Sequence, residues 1–126
     1  MATETFTPDN LIAGTTQTVT DIVTVASGEV LSRGAVLGKV TADGKYVLSA
    51  TLEDDGTTAI TDGSEVPYVI LAEDCDATAG DVTNVAVYVK GEFNENVLNF
   101  GNGHDASTVK APLREVGIYI KSAQKA

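Results

Sequence analysis

The sequence predicts a mainly-β fold: a small mixed β domain with one or two short helices and an extended N-terminal arm. Segments dense in β-branched residues recur along the chain, and turn signals such as Asp43-Gly44 separate them. Helix-start signals occur only in the last third of the chain, close to Pro112. Hydrophobic residues make up 43% of the 126 residues but aromatics only 6%, so we expect an aliphatic core.

Residues 1–16 are predicted to form an arm, and residues 17–126 a single β-rich domain. The arm is rich in Thr, which favours extended backbone, and Pro8 disfavours helix at the residue before it. Phe6 is one of its few apolar residues. Two interpretations stay open on these residues alone: a frayed terminus, or an arm that adds a strand to the edge of a partner's sheet.

The strands are predicted from β-branched density, apolar runs and the turns between them. The Asp43-Gly44 turn predicts a hairpin. Pro67 lacks an N–H and is expected at the start or edge of a buried strand, and Gly91 is expected to end a later one. The predicted strands are residues 18–25 and 29–31, the hairpin 35–49, and residues 66–72, 85–89 and 116–120.

Two short helical segments are predicted between the last two strands. Asn94 is expected to cap a turn over residues 95–99, and Asp105 is a favourable N-cap for a helix that follows it. A proline inside a helix loses one hydrogen bond and clashes with the preceding turn. Pro112 therefore predicts that the second helix is short or kinked.

The charge is strongly acidic and unevenly distributed. Eighteen acids against eight bases give a net charge of −10, which disfavours binding to nucleic acid or to anionic membranes. Between Lys45 and Lys90 the chain has no base and nine acids. We expect this acidic stretch to face solvent, away from the arm.

The residue types needed for catalysis or metal binding are scarce. Cys75 is the only cysteine and His104 the only histidine, so neither an internal disulfide nor a four-ligand zinc site is available. His104 lies in a glycine-rich run and is interpreted as a solvated loop residue. An EF-hand loop beginning at Asp74 would need Gly and Glu where Ala79 and Val85 stand. We expect no enzyme activity, no cofactor and no metal.

The N-terminus has neither the basic nor the apolar region of a secretory signal, and no apolar run approaches the length of a membrane span. We therefore expect a soluble protein synthesised in a reducing cytoplasm.

Taken as an ordered set of stretches, the sequence resembles the lambda-type bacteriophage head decoration proteins. No single motif is specific, but together the stretches cover nearly the whole chain. Pro112 departs from a region that is usually more favourable to helix in this family. The stretches are residues 4–14, residues 33–40 with 44–48, residues 70–74 with 76–81, residues 87–95, and Leu113-Arg114 leading into the last strand.

The resemblance implies a β-clip type of fold and a structural role in the virion. Such proteins bind the outer surface of the expanded head as homotrimers at three-fold and quasi-three-fold sites, and they reinforce it against the pressure of packaged DNA. Their N-terminal arm pairs with strands of the major capsid protein. This role carries over to Glu4, Thr5, Phe6 and Thr7.

Two alternative functions are kept open. The glycine-punctuated hairpin around residues 29–40 is similar to those of lipoyl- or biotinyl-type carrier domains, in which case Lys45 beside its turn would be the modified lysine. The chain is long for such a module. The second alternative is a virion surface adhesin domain, which would bind glycans or a receptor instead of the head.

Overall fold

A ring of five β-strands forms the centre of the computed structural model, which describes residues 18–53 and 55–121. Of the eight strands in these residues, only the first and the seventh are longer than four residues. The strands are β1 (Val19–Val25), β2 (Val30–Leu31), β3 (Val36–Lys39), β4 (Tyr46–Leu48), β5 (Val69–Leu71), β6 (Cys75–Asp76), β7 (Val82–Asn94) and β8 (Ile118–Lys121). A 3₁₀ turn spans Glu95–Val97, and one α-helix, α1, spans Ala106–Glu115. The predicted mainly-β fold with short helices is confirmed.

The ring has the order β1-β4-β3-β5-β7, and an antiparallel pairing of β7 with β1 closes it. The closure is uneven, because β1 and β4 meet only at the parallel pair Val25 and Tyr46. Strand β8 pairs in parallel with the last four residues of β7. Strands β2 and β6 form a separate two-stranded sheet.

Two hydrophobic cores share the strands of the ring. Alternation places Leu37 and Leu71 in the barrel interior, while Val36 and Ile70 point outward into the second core. The second core lies between the ring, α1 and β8, and Phe93 at its centre is fully buried. Because β3 and β5 are covered on both faces, their sequences read as continuous apolar runs rather than alternating ones.

Strand β7 bends at a β-bulge centred on Asn84. The register moves from the pair Val23 and Val85 to the pair Val25 and Val82, so β7 holds one extra residue there. Asn84 takes a left-handed φ of 58°, which Asn tolerates better than most residues do. The bulge lets one strand follow the curve of the ring before it leaves for the second core.

Most predicted elements are confirmed, and the exceptions have physical reasons. Strands β3 and β4 form the predicted hairpin. The predicted strand 66–72 is wrong at its ends, because Val66 and Tyr68 are 51% and 42% exposed and only Val69–Leu71 pairs. Gly91 does not end β7, because β8 takes over as its partner at that residue.

Helix α1 begins at the predicted N-cap and is short, as predicted. The Asp105 side chain accepts the N–H groups of Ser107 and Thr108, while the Thr108 hydroxyl accepts the N–H of Asp105, which completes a capping box. The helix contains Pro112 and is only ten residues long. In residues 95–97, the Asn94 side chain caps the 3₁₀ turn as predicted.

No helix of the described ranges is both long and apolar enough to span a membrane.

A close backbone approach holds the segment around Ser64 across β3. A Cβ atom added to Gly38 would lie 2.0 Å from the Ser64 carbonyl oxygen, so only glycine leaves the required space. That carbonyl accepts the Ser49 hydroxyl at 2.8 Å, and both serines are buried. The approach therefore depends on one glycine in an otherwise apolar strand.

Replacing Gly38 by Ala is expected to lower the free energy of unfolding by about 3 kcal/mol, because the added methyl group displaces backbone rather than a flexible side chain. Urea unfolding measures the change. Gly56→Asn is the control, since Gly56 faces open space at φ 75° and Asn accepts that conformation. The control is expected to stay within about 0.5 kcal/mol of the original chain. Equal stabilities for the two variants would contradict the assignment.

Candidate functional site

The predicted capsid-binding residues Glu4, Thr5, Phe6 and Thr7 lie outside the described residues. The structure instead shows where the chain that follows them enters the fold. Val19, the first residue of β1, lies opposite Lys90, and the next residue of β7, Gly91, pairs with Ile118 of β8. The chain thus joins the barrel at the point where β7 exchanges one partner strand for another.

A groove opens beside β1, where the ring is incompletely closed. Its volume is about 220 Å³. Tyr46 and Tyr68 stack in it with ring centroids 6.2 Å apart, and Tyr68 and Val116 remain partly exposed. Burial, followed by the neighbouring Tyr68 and Asp21, raises the pKa of Tyr46, so its hydroxyl stays neutral. We call this feature the β1 groove; its lining includes Asp21, Val23, Tyr46, Tyr68, Val69 and Val116.

A second cleft, of about 420 Å³, lies on the side of β4 and is lined by both apolar and acidic residues. The Glu29 carboxylate accepts the N–H of Leu48 at 3.0 Å. The Ser64 hydroxyl donates to Asp62, and Ser64 is only 2% exposed. The described lining residues include no histidine or lysine, the usual bases that activate a serine.

The acids of the middle stretch hold the turns of the barrel together. Asp54 lies outside the described residues, and of the other eight acids between Lys45 and Lys90, seven accept backbone N–H groups. Two of these bonds span more than thirty residues of sequence and link separate loops: Asp74 accepts the N–H of Arg33, and Asp81 accepts that of Ser27. The seven are Asp55, Asp62, Glu65, Glu73, Asp74, Asp76 and Asp81.

These hydrogen bonds favour the ionised carboxylates. The Thr58 hydroxyl, followed by the N–H groups of Thr58 and Thr57, lowers the pKa of Asp55 to about 2. The hydrogen bond from Lys45, followed by the N–H of Ser27, lowers the pKa of Asp81. The pKa values of Asp62, Asp76 and Asp105 are also lowered, each first by a hydroxyl donor: Ser64, Thr78 and Ser107 respectively.

His104 lies in a loop, as predicted, but it is not simply solvated. The ring is partly buried, and its Nε2 lies 2.8 Å from the Glu65 carbonyl oxygen, to which it donates. Its Nδ1 lies 2.8 Å from Oγ1 of Thr108. The glycine-rich run brings His104 against both the loop at residue 65 and the start of α1, so its role is structural. Cys75 is buried, and burial raises the pKa of its thiol, which keeps it from being an activated nucleophile.

Lys45 and the calcium-like stretch are both engaged in structural contacts. The Lys45 ammonium pairs with Asp81 at 2.5 Å, and this contact raises its pKa. A carrier lysine presents a free amine, so Lys45 does not fit that role. Asp76 caps its own turn through the N–H and hydroxyl of Thr78. In the ranges 18–53 and 55–121, no three His, Cys, Asp or Glu side chains are grouped to hold a metal ion.

Fold and site together describe a small β-barrel with surface clefts and with turns that are held by carboxylate side chains. The chain belongs to the bacteriophage lambda head decoration protein D family, whose model matches residues 1–118. Its role is therefore capsid decoration, in association with the phage capsid on the outer surface of the virion head. The family is a structural one, not a class of enzymes. No curated protein sequence matches the chain.

Stability is expected to fall with acidification. A carboxylate whose pKa is lower in the folded state stabilises the fold above its unfolded pKa of about 4, and that contribution disappears as pH falls through the folded pKa. For Asp55 the window runs from about pH 4 down to about 2. Urea unfolding at several pH values measures this loss, and the Asp55→Asn variant is expected to lose less stability across the window than the original chain does.

Glu115→Gln is the matched control, since the Glu115 carboxylate accepts no hydrogen bond from residues 18–53 or 55–121. It is expected to keep the original pH profile. An Asp55→Asn profile identical to that of the original chain would contradict the role assigned to the Asp55 carboxylate.

Proposed function

We propose that this chain binds the outside of the expanded phage head as a homotrimer at three-fold and quasi-three-fold sites, and that it cements the shell against the pressure of packaged DNA. The family match over residues 1–118 carries the proposal, because it includes both the predicted arm and the barrel. A ligand that binds one state of a shell stabilises that state by mass action. Binding to the expanded shell alone therefore opposes its rupture.

In this proposal the chain divides into a capsid-binding arm, residues 1–16, and a decoration domain, residues 17–126. Glu4, Thr5, Phe6 and Thr7 pair as a strand with the major capsid protein. Thirteen extended residues reach roughly 43 Å, enough to cross onto a neighbouring capsid subunit. Each trimer then joins several weak contacts, and linkage raises their combined affinity without any single strong contact. Synthesis in the host cytoplasm precedes this assembly.

Deleting residues 2–13 is expected to leave the barrel folded and to abolish or greatly weaken head binding, because the deletion removes the pairing strand. Co-sedimentation with expanded empty heads measures binding, and thermal unfolding checks the fold. The control is a chain that ends at Lys121, since the family model stops at residue 118. Undiminished binding by the arm deletion would overturn the role of the arm.

Phe6→Ala is expected to weaken head binding less than the deletion does. Backbone hydrogen bonds supply much of the affinity of an added strand, and the substitution leaves them in place while it removes one anchoring side chain. The same co-sedimentation titration ranks the two variants. A substitution as damaging as the deletion would mean that the side chain, and not strand pairing, carries the contact.

Free trimers are expected to be sensitive to salt. Three chains of charge −10 bring together a charge of about −30, and self-repulsion of that size opposes association at low ionic strength. Sedimentation velocity of the free protein across a salt series measures the trimer fraction, which should rise with salt. A trimer fraction that does not respond to salt would contradict the expectation.

A further inference from the structure

Among residues 18–53 and 55–121, strand β1 has an open backbone edge next to the β1 groove. On one side β1 pairs with β7 along its whole length, and on the other it meets β4 only at Val25. Residues 19–22 are exposed, and the Ile22 side chain is 58% exposed. An unpaired strand edge is a template for another strand.

The backbone of Ile22 points toward this open edge. Ile22 lies opposite Ala86, whose N–H donates to Glu73 and whose carbonyl accepts the N–H of Ala72, both on the side of β7 away from β1. In an antiparallel pair of this kind the opposing residue also directs its backbone groups outward. The N–H of Ile22 donates instead to the carboxylate of its own neighbour Asp21, at 2.8 Å.

The β1 groove lies where an added strand would place its side chains. Asp21 and Val23 of β1 form one wall, and Tyr68 with Val116 forms an exposed apolar rim opposite. An apolar side chain of the added strand would bury the rim. Asp21 is the one charged residue among the described lining residues. A strand that pairs with the Ile22 N–H would displace the Asp21 carboxylate, which could then pair with a cationic side chain of that strand.

We propose that the β1 edge and the β1 groove form one docking site for an extended strand of the capsid shell. The strand adds to β1 through the backbone of Ile22, inserts an apolar side chain into the groove and places a Lys or Arg beside Asp21. The inference rests on the proposed function and deepens it, because it gives the barrel itself, and not only the arm, a contact with the shell.

Two observations favour a shell strand as the occupant. The proposed capsid-binding arm runs directly into β1, so a shell strand near the arm has the β1 edge within reach. The charge also fits: Asp21 would pair with a cationic side chain, and the net charge of −10 makes this edge a less favourable contact for a second copy.

The test uses the full chain and expanded empty heads, with affinity taken from a co-sedimentation titration. Ile22→Pro removes the outward N–H without removing a bond to β7, and Ile22→Thr is its control because it keeps the N–H. Val116→Lys places a charge in the groove, and Lys suits the end of a helix. Val30→Lys is its control, since Val30 is 68% exposed on the separate β2 strand.

Ile22→Pro and Val116→Lys are each expected to lower head affinity at least tenfold, while both controls bind as the original chain does. On bound heads, hydrogen exchange of the Ile22 amide should slow at least tenfold in the original chain. If Ile22→Pro fails to fold, as thermal unfolding will show, Val116→Lys and the exchange measurement decide.

Folded variants that bind heads with unchanged affinity would overturn the inference. So would variants that change the sedimentation of the free protein but not head binding, because the occupant would then be a second copy. In both cases the proposed function stands. Failure of the original chain to bind expanded heads would instead overturn the proposed function.

Discussion

The pairing of β7 with three different strands is the constraint on which this fold depends. Its first part closes the ring against β1 and carries β5 on its other edge, and its last four residues hold β8. The two hydrophobic cores therefore share the backbone of one strand. The bulge at Asn84 makes this possible, because an extra residue increases the local twist of a strand.

Turns and helix caps, which depend on neighbouring residues, could be predicted from the sequence. Contacts between segments distant in sequence could not. Asp43-Gly44, Asn94 and Asp105 act within a few residues of themselves, so the hairpin and both helix starts could be identified. The continuation of β7 through Gly91 depends on β8, twenty-seven residues later. The two hydrogen bonds of His104 depend on Glu65 and Thr108 in the same way, and a glycine-rich context gives no sign of them.

The candidate site was likewise predictable only in part from the sequence. The arm was predicted through a resemblance to a family, and the match over residues 1–118 supports that family. The β1 groove brings together residues from five separate segments, and the sequence analysis did not predict it. The single described pair between β1 and β4 leaves the edge to which we propose that a shell strand adds.

The tethered carboxylates restrict how this surface can change. On most proteins an exposed acid can be replaced with little effect on stability, and net charge is then free to drift or to be engineered. Here seven acids of the middle stretch accept backbone N–H groups, so replacing one of them with a side chain that cannot accept a hydrogen bond also loosens a turn. The same side chains therefore contribute both to solubility and to the stability of the turns. A variant intended to carry a fused cargo on a phage particle would better be recharged at Glu53 or Glu115, whose side chains tether no turn of the described chain.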